Sequence, residues 1–178
     1  AHLVQEIANA AAPEARVAVR VHPVDHPSFF DDVELIVGRV HSRLRHVMIP
    51  KVESLADVET AANALNHVGA LNLPLHVLIE SSAAVHRAFE IAAHPRVQSV
   101  SFGLMDFVSS HGGAIPAWAM TGEGQFKHPL MLRAKLEVAS ACHAYGKTPA
   151  HGVVTEIKDL QAIKESAQLA NQSLGFTR

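Results

Sequence analysis

Apolar positions along this chain fall into two alternating rhythms. Leu3, Val4, Ile7 and Ala11 recur at helical spacing, and Pro13 ends that first helix. The β-branched run "ARVAVRV" then reads as a short strand. "DDVELIVGRVHSRL" returns to the helical period, with two acids at its start and Val33, Ile36, Val37 and Val40 on one side. "HVMIP" is a strand stopped by proline, and "SLADVETAANALNHVG" is a helix with Ser54 as its cap and Gly69 at its end. The alternation continues through the strand "LPLHVLIE", the helix "SSAAVHRAFEIAA" and the strand "VQSVSFGL". A loop from His111 to Lys127, rich in Gly and Pro, leads into the long helix "HPLMLRAKLEVASACHAYGK". The strand "TPAHGVVT" and the helix "IKDLQAIKESAQLANQSLG" complete the series.

Helix and strand alternate with no hairpin signal, which predicts a parallel sheet covered by helices. The strand ends fall near residues 20, 51, 80, 104 and 154. Most steps match the roughly 31 residues per unit obtained by dividing an α/β barrel by eight. The last step is longer because of the loop from His111 to Lys127, and an insertion at a strand end is where a lid or substrate loop is expected. Five strands fit either an open sheet or part of a closed eight-stranded barrel. The chain opens directly on a helix at Ala1 and stops at "LGFTR", where another strand is due. The expectation is one domain over residues 1–178, and an incomplete one.

Composition narrows the function classes. The 178 residues are 48% apolar and 18% charged, which suits one packed core. A formal net charge of −2 gives no basic footprint for nucleic acid and no polybasic anchor for a membrane. No apolar run approaches the ~20 residues of a spanning helix. The lone Cys142 is expected as a buried, inert thiol in a reducing compartment, so the cytoplasm is the expected location. Thirteen histidines invite a metal reading, yet no H-E-x-x-H or Cys/His cluster is present, and Pro23 and Pro27 break any helix that would align His22 with His26.

The chemistry gathers at the strand ends, the working face of parallel α/β folds. They carry Arg20, then Lys51 and Glu53, then Glu80, then Asp106, then His151 and Thr155. Adjacent strands lie about 4.8 Å apart, so Glu80 and Asp106 can share one ion. Magnesium suits such a pair, because it takes oxygen ligands, keeps several waters and often uses only one or two protein carboxylates. The bland alternative makes each acid a cap for the helix after it. Arg20 offers a planar fork of donors to a carbonyl or carboxylate, against a structural ion pair with Asp25 or Asp32. Lys51 is a second cation for substrate, or a lysine reaching for solvent. Gly103, Leu104, Met105 and Asp106 read as a tight turn whose backbone N–H groups face an anion.

The segments "VRVHPVDHP", "MIPKVES", "LIESSAAVHRAFEIAAHPRVQSVSFGLMDF" and "HGVVTEIKD", in this order, resemble the citrate lyase beta-subunit family, also called the HpcH/HpaI aldolase family. The likeness runs from about Val17 to Asp159. It implies a TIM (β/α)8 barrel in which these strands are the third to seventh, with the first two and the last lacking from this sequence. It also implies a magnesium-dependent carbon–carbon lyase that cleaves a β-hydroxyacyl-CoA ester of the citryl-CoA or malyl-CoA type to an acyl-CoA and a keto acid. By the same resemblance Glu80 and Asp106 match the metal-binding acids, Arg20 matches the arginine on the substrate carbonyl, and the protein is a homotrimer or homohexamer. The sequence departs from the family pattern at His22 for Asn, Met105 for Glu and His151 for Asp. Two other readings stand beside the first: a class II pyruvate-type aldolase acting on free hydroxy-keto acids, and a non-catalytic barrel subunit.

Overall fold

The computed structural model describes residues 2–12 and 15–178. Five strands, β1 (Val17–Arg20), β2 (Leu44–Ile49), β3 (Leu75–Ile79), β4 (Val97–Phe102) and β5 (Thr148–Ala150), form one sheet. They lie in chain order and every neighbouring pair is parallel. A doubly wound sheet reverses its strand order at a switch point, whereas a barrel adds each strand to the same edge. Sequential order without reversal is therefore an arc of an α/β barrel. The C-terminal residues lie beside β5, where Thr177 N–H donates to Pro149 O at 3.1 Å and His151 N–H to Arg178 O at 2.7 Å.

The helices cover the outer face of this arc. In chain order they are α1 (His2–Ala10), α2 (Phe29–Asp32), α3 (Gly38–Val40), α4 (Leu55–His67), α5 (Ser82–His86), α6 (Ala88–Ala93), α7 (Leu104–Ser109), α8 (Gly124–Lys127), α9 (Pro129–Ala144) and α10 (Leu160–Leu174). Leu75, Val77 and Ile79 of β3 and Val100 and Phe102 of β4 are buried in one cluster with Val58, Leu65, Ile91 and Met131 from the helices. Burying a side chain of this size stabilises the fold by roughly 1.5–3 kcal/mol relative to leaving it in water. The opposite face of the sheet is polar. His76 hydrogen-bonds Ser99 Oγ at 2.6 Å and Ser101 Oγ at 2.8 Å, and its ring lies 5.5 Å from that of His46. Burial, His46 and Arg178 together lower the His76 pKa to about 4, so this imidazole is neutral.

Local signals placed most ends. Ser54 and Asp57 form a reciprocal capping box on α4, and Gly69 follows the helix at φ +81°. Several expectations fail in instructive ways. The predicted helix from Asp31 onward is interrupted by a π-helical turn at Val33–Val37, although all four predicted apolar positions are buried. The predicted single helix after Glu80 breaks at Arg87, whose Nη1 donates to Glu53 O at 3.2 Å. In α1, Leu3 and Ile7 are exposed and Ala8 is the buried residue. The stop assigned to Pro13 lies outside the described residues. The loop from His111 to Lys127 contains a 3-10 turn at Ala117–Met120 and the short α8. The predicted last strand ends at Ala150, well short of Thr155.

Candidate active site

Glu80 follows β3 directly, and the residue after it caps the next helix. Ser81 Oγ accepts from Ala84 N–H at 3.0 Å and donates to Glu53 Oε2 at 2.6 Å. Glu80 is thus released from capping, and its Oε2 accepts the Lys51 N–H from the end of the neighbouring strand at 2.8 Å. From the other side it packs against Gly103, where a Cβ would overlap Glu80 Cγ and Oε1. This close approach explains the glycine, whose own N–H donates to Ile79 O at 2.8 Å. Only 8% of Glu80 is exposed. Burial raises its pKa and the Asp106 charge adds to that, against the Lys51 N–H and the charges of Lys51 and Arg20.

Asp106 reaches the same place from the next strand. The predicted tight turn is the opening of a helix, for Gly103 precedes α7 and Asp106 lies in its first turn. No side-chain cap bond forms there, so neither acid does the capping that the bland reading assigned to it. The Asp106 carboxylate is about half exposed, and its Oδ1 lies 3.6 Å from Lys51 Nζ. Lys51 therefore serves both acids, through its backbone N–H and its ammonium. It does so at φ +52°, a left-handed conformation that costs a side-chain-bearing residue about 1 kcal/mol or more.

Arg20 ends β1 exposed, and its charge reaches Glu80. Asp32, one proposed partner, is engaged instead by His22, which donates its N–H at 2.9 Å and approaches with Nδ1 at 2.6 Å. Among the described residues no carboxylate lies within 4 Å of the Arg20 guanidinium. Met105 is exposed beside the acids, whereas the Leu104 side chain is buried in the core, leaving only its backbone at the mouth. His151 turns away, to Ser166 Oγ at 2.9 Å. A cavity of about 1020 Å³ opens at the amino ends of the strands among Arg16, Arg45, His46 and Arg178. It faces away from the acids.

The donor set fits a hard divalent cation. The Glu80 and Asp106 carboxylates follow adjacent strands and are both engaged by Lys51, Glu80 is buried with a raised pKa, and a positive ion there would supply the counter-charge that burial withholds. Among the described residues no cluster of three or more His, Cys, Asp or Glu stands ready to hold a metal, so the ion would keep several waters. That Lys51 bridges the pair was not legible in the sequence, because a left-handed residue is visible there mainly when it is Gly or Asn. The signal that could have separated the two readings is Ser81 in "ESSAA", a cap-type residue directly after the acid.

Residues 1–178 match the family described as HpcH/HpaI aldolase/citrate lyase. An L-malyl-CoA/beta-methylmalyl-CoA lyase of Cereibacter sphaeroides is 30% identical over 167 residues, covering 85% of this chain and 52% of that protein. A citrate lyase subunit beta-like protein of Deinococcus radiodurans is 29% identical, covering 94% of this chain and 54% of its own. The chain thus spans about half the length of the curated relatives it matches. A crystal structure of a citrate lyase from Burkholderia xenovorans superposes with a TM-score of 0.89 at 40% identity, over 99% of this chain and 58% of that one. The citrate lyase beta subunit of Mycobacterium tuberculosis, complexed with oxaloacetate and magnesium, shares the fold at a TM-score of 0.77 and 22% identity. The five-stranded arc, the strand-end acids and the match along the whole chain lead to one assignment: the chain belongs to the HpcH/HpaI aldolase/citrate lyase family.

Proposed function

We propose that this chain carries the metal- and substrate-binding residues of a magnesium-dependent lyase that cleaves the carbon–carbon bond of a β-hydroxyacyl-CoA ester. The observation that carries the reading is the meeting of Glu80 and Asp106 at the mouth, with Lys51 on both and neither used as a helix cap. Glu80 and Asp106 would hold the ion, and Lys51, Met105 and the backbone of Gly103 and Leu104 would border the substrate. A bound magnesium ion would supply Lewis acidity toward the substrate's hydroxyl and carboxylate oxygens. The hydroxyl passes its proton to a general base, its oxygen becomes a carbonyl, and the electrons of the broken carbon–carbon bond pass into the thioester as an enolate. Arg20, which meets no carboxylate among the described residues, presents its fork to that thioester oxygen and stabilises the developing charge. Protonation of the enolate carbon completes the acyl-CoA.

The relatives named malyl-CoA lyase favour a CoA ester over the free hydroxy-keto acid of a pyruvate-type aldolase. A homotrimeric or homohexameric assembly and a cytoplasmic location go with the reading. No helix among the described residues is long and apolar enough to cross a membrane. The test is to incubate the full-length protein and magnesium with citryl-CoA, malyl-CoA, methylmalyl-CoA and free hydroxy-keto acids. Release of acetyl-CoA or propionyl-CoA is expected. Pyruvate from a free acid would select the aldolase, and inactivity with tight acyl-CoA binding the non-catalytic subunit.

A further inference from the structure

Lys135, on α9, is completely buried, and among the described residues no carboxylate meets it. Its Nζ donates to Gln125 Oε1 at 2.5 Å, lies 3.4 Å from His151 Nδ1 and stands 4.5 Å from the centroid of the Phe126 ring. Gln125 and Phe126 belong to α8, in the insertion between α7 and α9, while His151 follows β5 and passes the chain of hydrogen bonds to Ser166 of α10. One amine thus joins the insertion to the end of a strand. Methionine would fill the same space without a polar group to desolvate, so the geometry gives the amine a task as a donor.

We propose that Lys135 is a positioning residue: its buried amine docks the insertion against the carboxyl end of β5 and so sets the wall of the mouth next to Asp106. The helix that carries Asp106 runs straight into this insertion. A second clasp lies further out, where Gly122 N–H donates to the Glu156 carboxylate at 3.0 and 3.1 Å and Thr155 Oγ1 to Met120 O at 3.1 Å. Gln125 Nε2 adds a bond to Val153 O at 3.4 Å. The groups facing the amine are Gln125 and Phe126 from α8 and His151 from the strand end, with Ser166 of α10 behind His151. His151 is the titratable member, and burial followed by the Lys135 charge lowers its pKa to about 4. Burial lowers the Lys135 pKa to about 7, from the usual 10.5.

Undocking returns the amine to water and to its ordinary basicity. The open form therefore takes up a proton at this amine between about pH 7 and 10.5, and the ratio of docked to open rises about tenfold per pH unit across that window. The role in catalysis rests on the lyase reading; the docking does not. Trypsin cleavage after Lys127 in the full-length protein, normalised to an unstructured peptide of the same sequence, reports the open fraction. Between pH 7.5 and 9.5 the wild-type rate should fall about tenfold per unit, and in Lys135→Met the slope should vanish. His151→Asp should abolish it as well, by supplying a carboxylate that keeps the amine charged. A flat wild-type profile, or an unchanged slope in Lys135→Met, overturns the proposal. If that variant does not fold, NMR titration of the wild-type Lys135 amine decides, with a midpoint near 7 expected and one near 10.5 contradicting. A protein that lacks lyase activity yet shows the pH-dependent cleavage refutes the function and leaves the docking intact.

Discussion

Two clusters of ionisable groups lie within the same sheet-and-helix framework and solve opposite problems. At the mouth, Glu80 and Asp106 are brought together and answered by Lys51 and Arg20, partly in solvent. Behind the last strand, Lys135 is buried beside His151 with hydrogen-bond partners and, among the described residues, no opposite charge. At the mouth the charges of Lys51 and Arg20 oppose the upward shift that burial imposes on Glu80. Lys135 has no such offset: burial lowers its pKa to about 7, and above that pH the neutral amine acts through its hydrogen bonds. Proximity to a strand end therefore does not by itself mark a residue as part of the reacting site, and charge balance separates the two clusters.

The contrast is broken most severely by Asp106→Asn or Glu80→Gln. Each should lower lyase activity by about a thousandfold, while the thermal midpoint moves by little, because a removed site charge relieves like-charge repulsion. Activity assays paired with a melt separate this from misfolding. Next in size is the pH dependence of stability. The Lys135 pKa is depressed in the folded state, so the unfolded chain holds the extra proton and wild-type stability rises with pH from about 7 to 10.5. Relative to Lys135→Met, denaturant titrations should show the wild type gaining about 1.4 kcal/mol per unit between pH 7.5 and 9.5. Gly103→Ala should then cost roughly 1–3 kcal/mol, since its methyl group displaces Glu80, and magnesium affinity should fall with it. Calorimetry of unfolding and of ion binding measures both. The smallest effect is Ser81→Ala, about 1 kcal/mol from the lost cap, with activity largely retained if Ser81 only frees Glu80 from capping.

The mouth was far more legible in the sequence than the buried cluster. Strand ends were marked by apolar runs giving way to single acids, and the parallel order followed from the absence of hairpin turns, so Arg20, Glu80 and Asp106 emerged together. The π-helical turn at Val33–Val37 left the apolar period intact and so gave no signal. Leu104 read as a mouth residue, but the helix that opens there turns its side chain into the core. Lys135 was illegible for a different reason. On a polar-looking stretch such as "LRAKLE" a lysine reads as solvent-exposed, and only the packing of the insertion over α9 buries it. His151 was noticed as a departure from the family pattern, and the structure supplies its partner, an amine in place of a substrate.

The account rests on a cation held between two carboxylates, and anomalous diffraction from crystals of the full-length protein soaked in manganese tests that directly. A single peak between the Glu80 and Asp106 oxygens, about 2.1 Å from one oxygen of each, is the predicted result. A peak coordinated elsewhere, or none at saturating manganese, would contradict it.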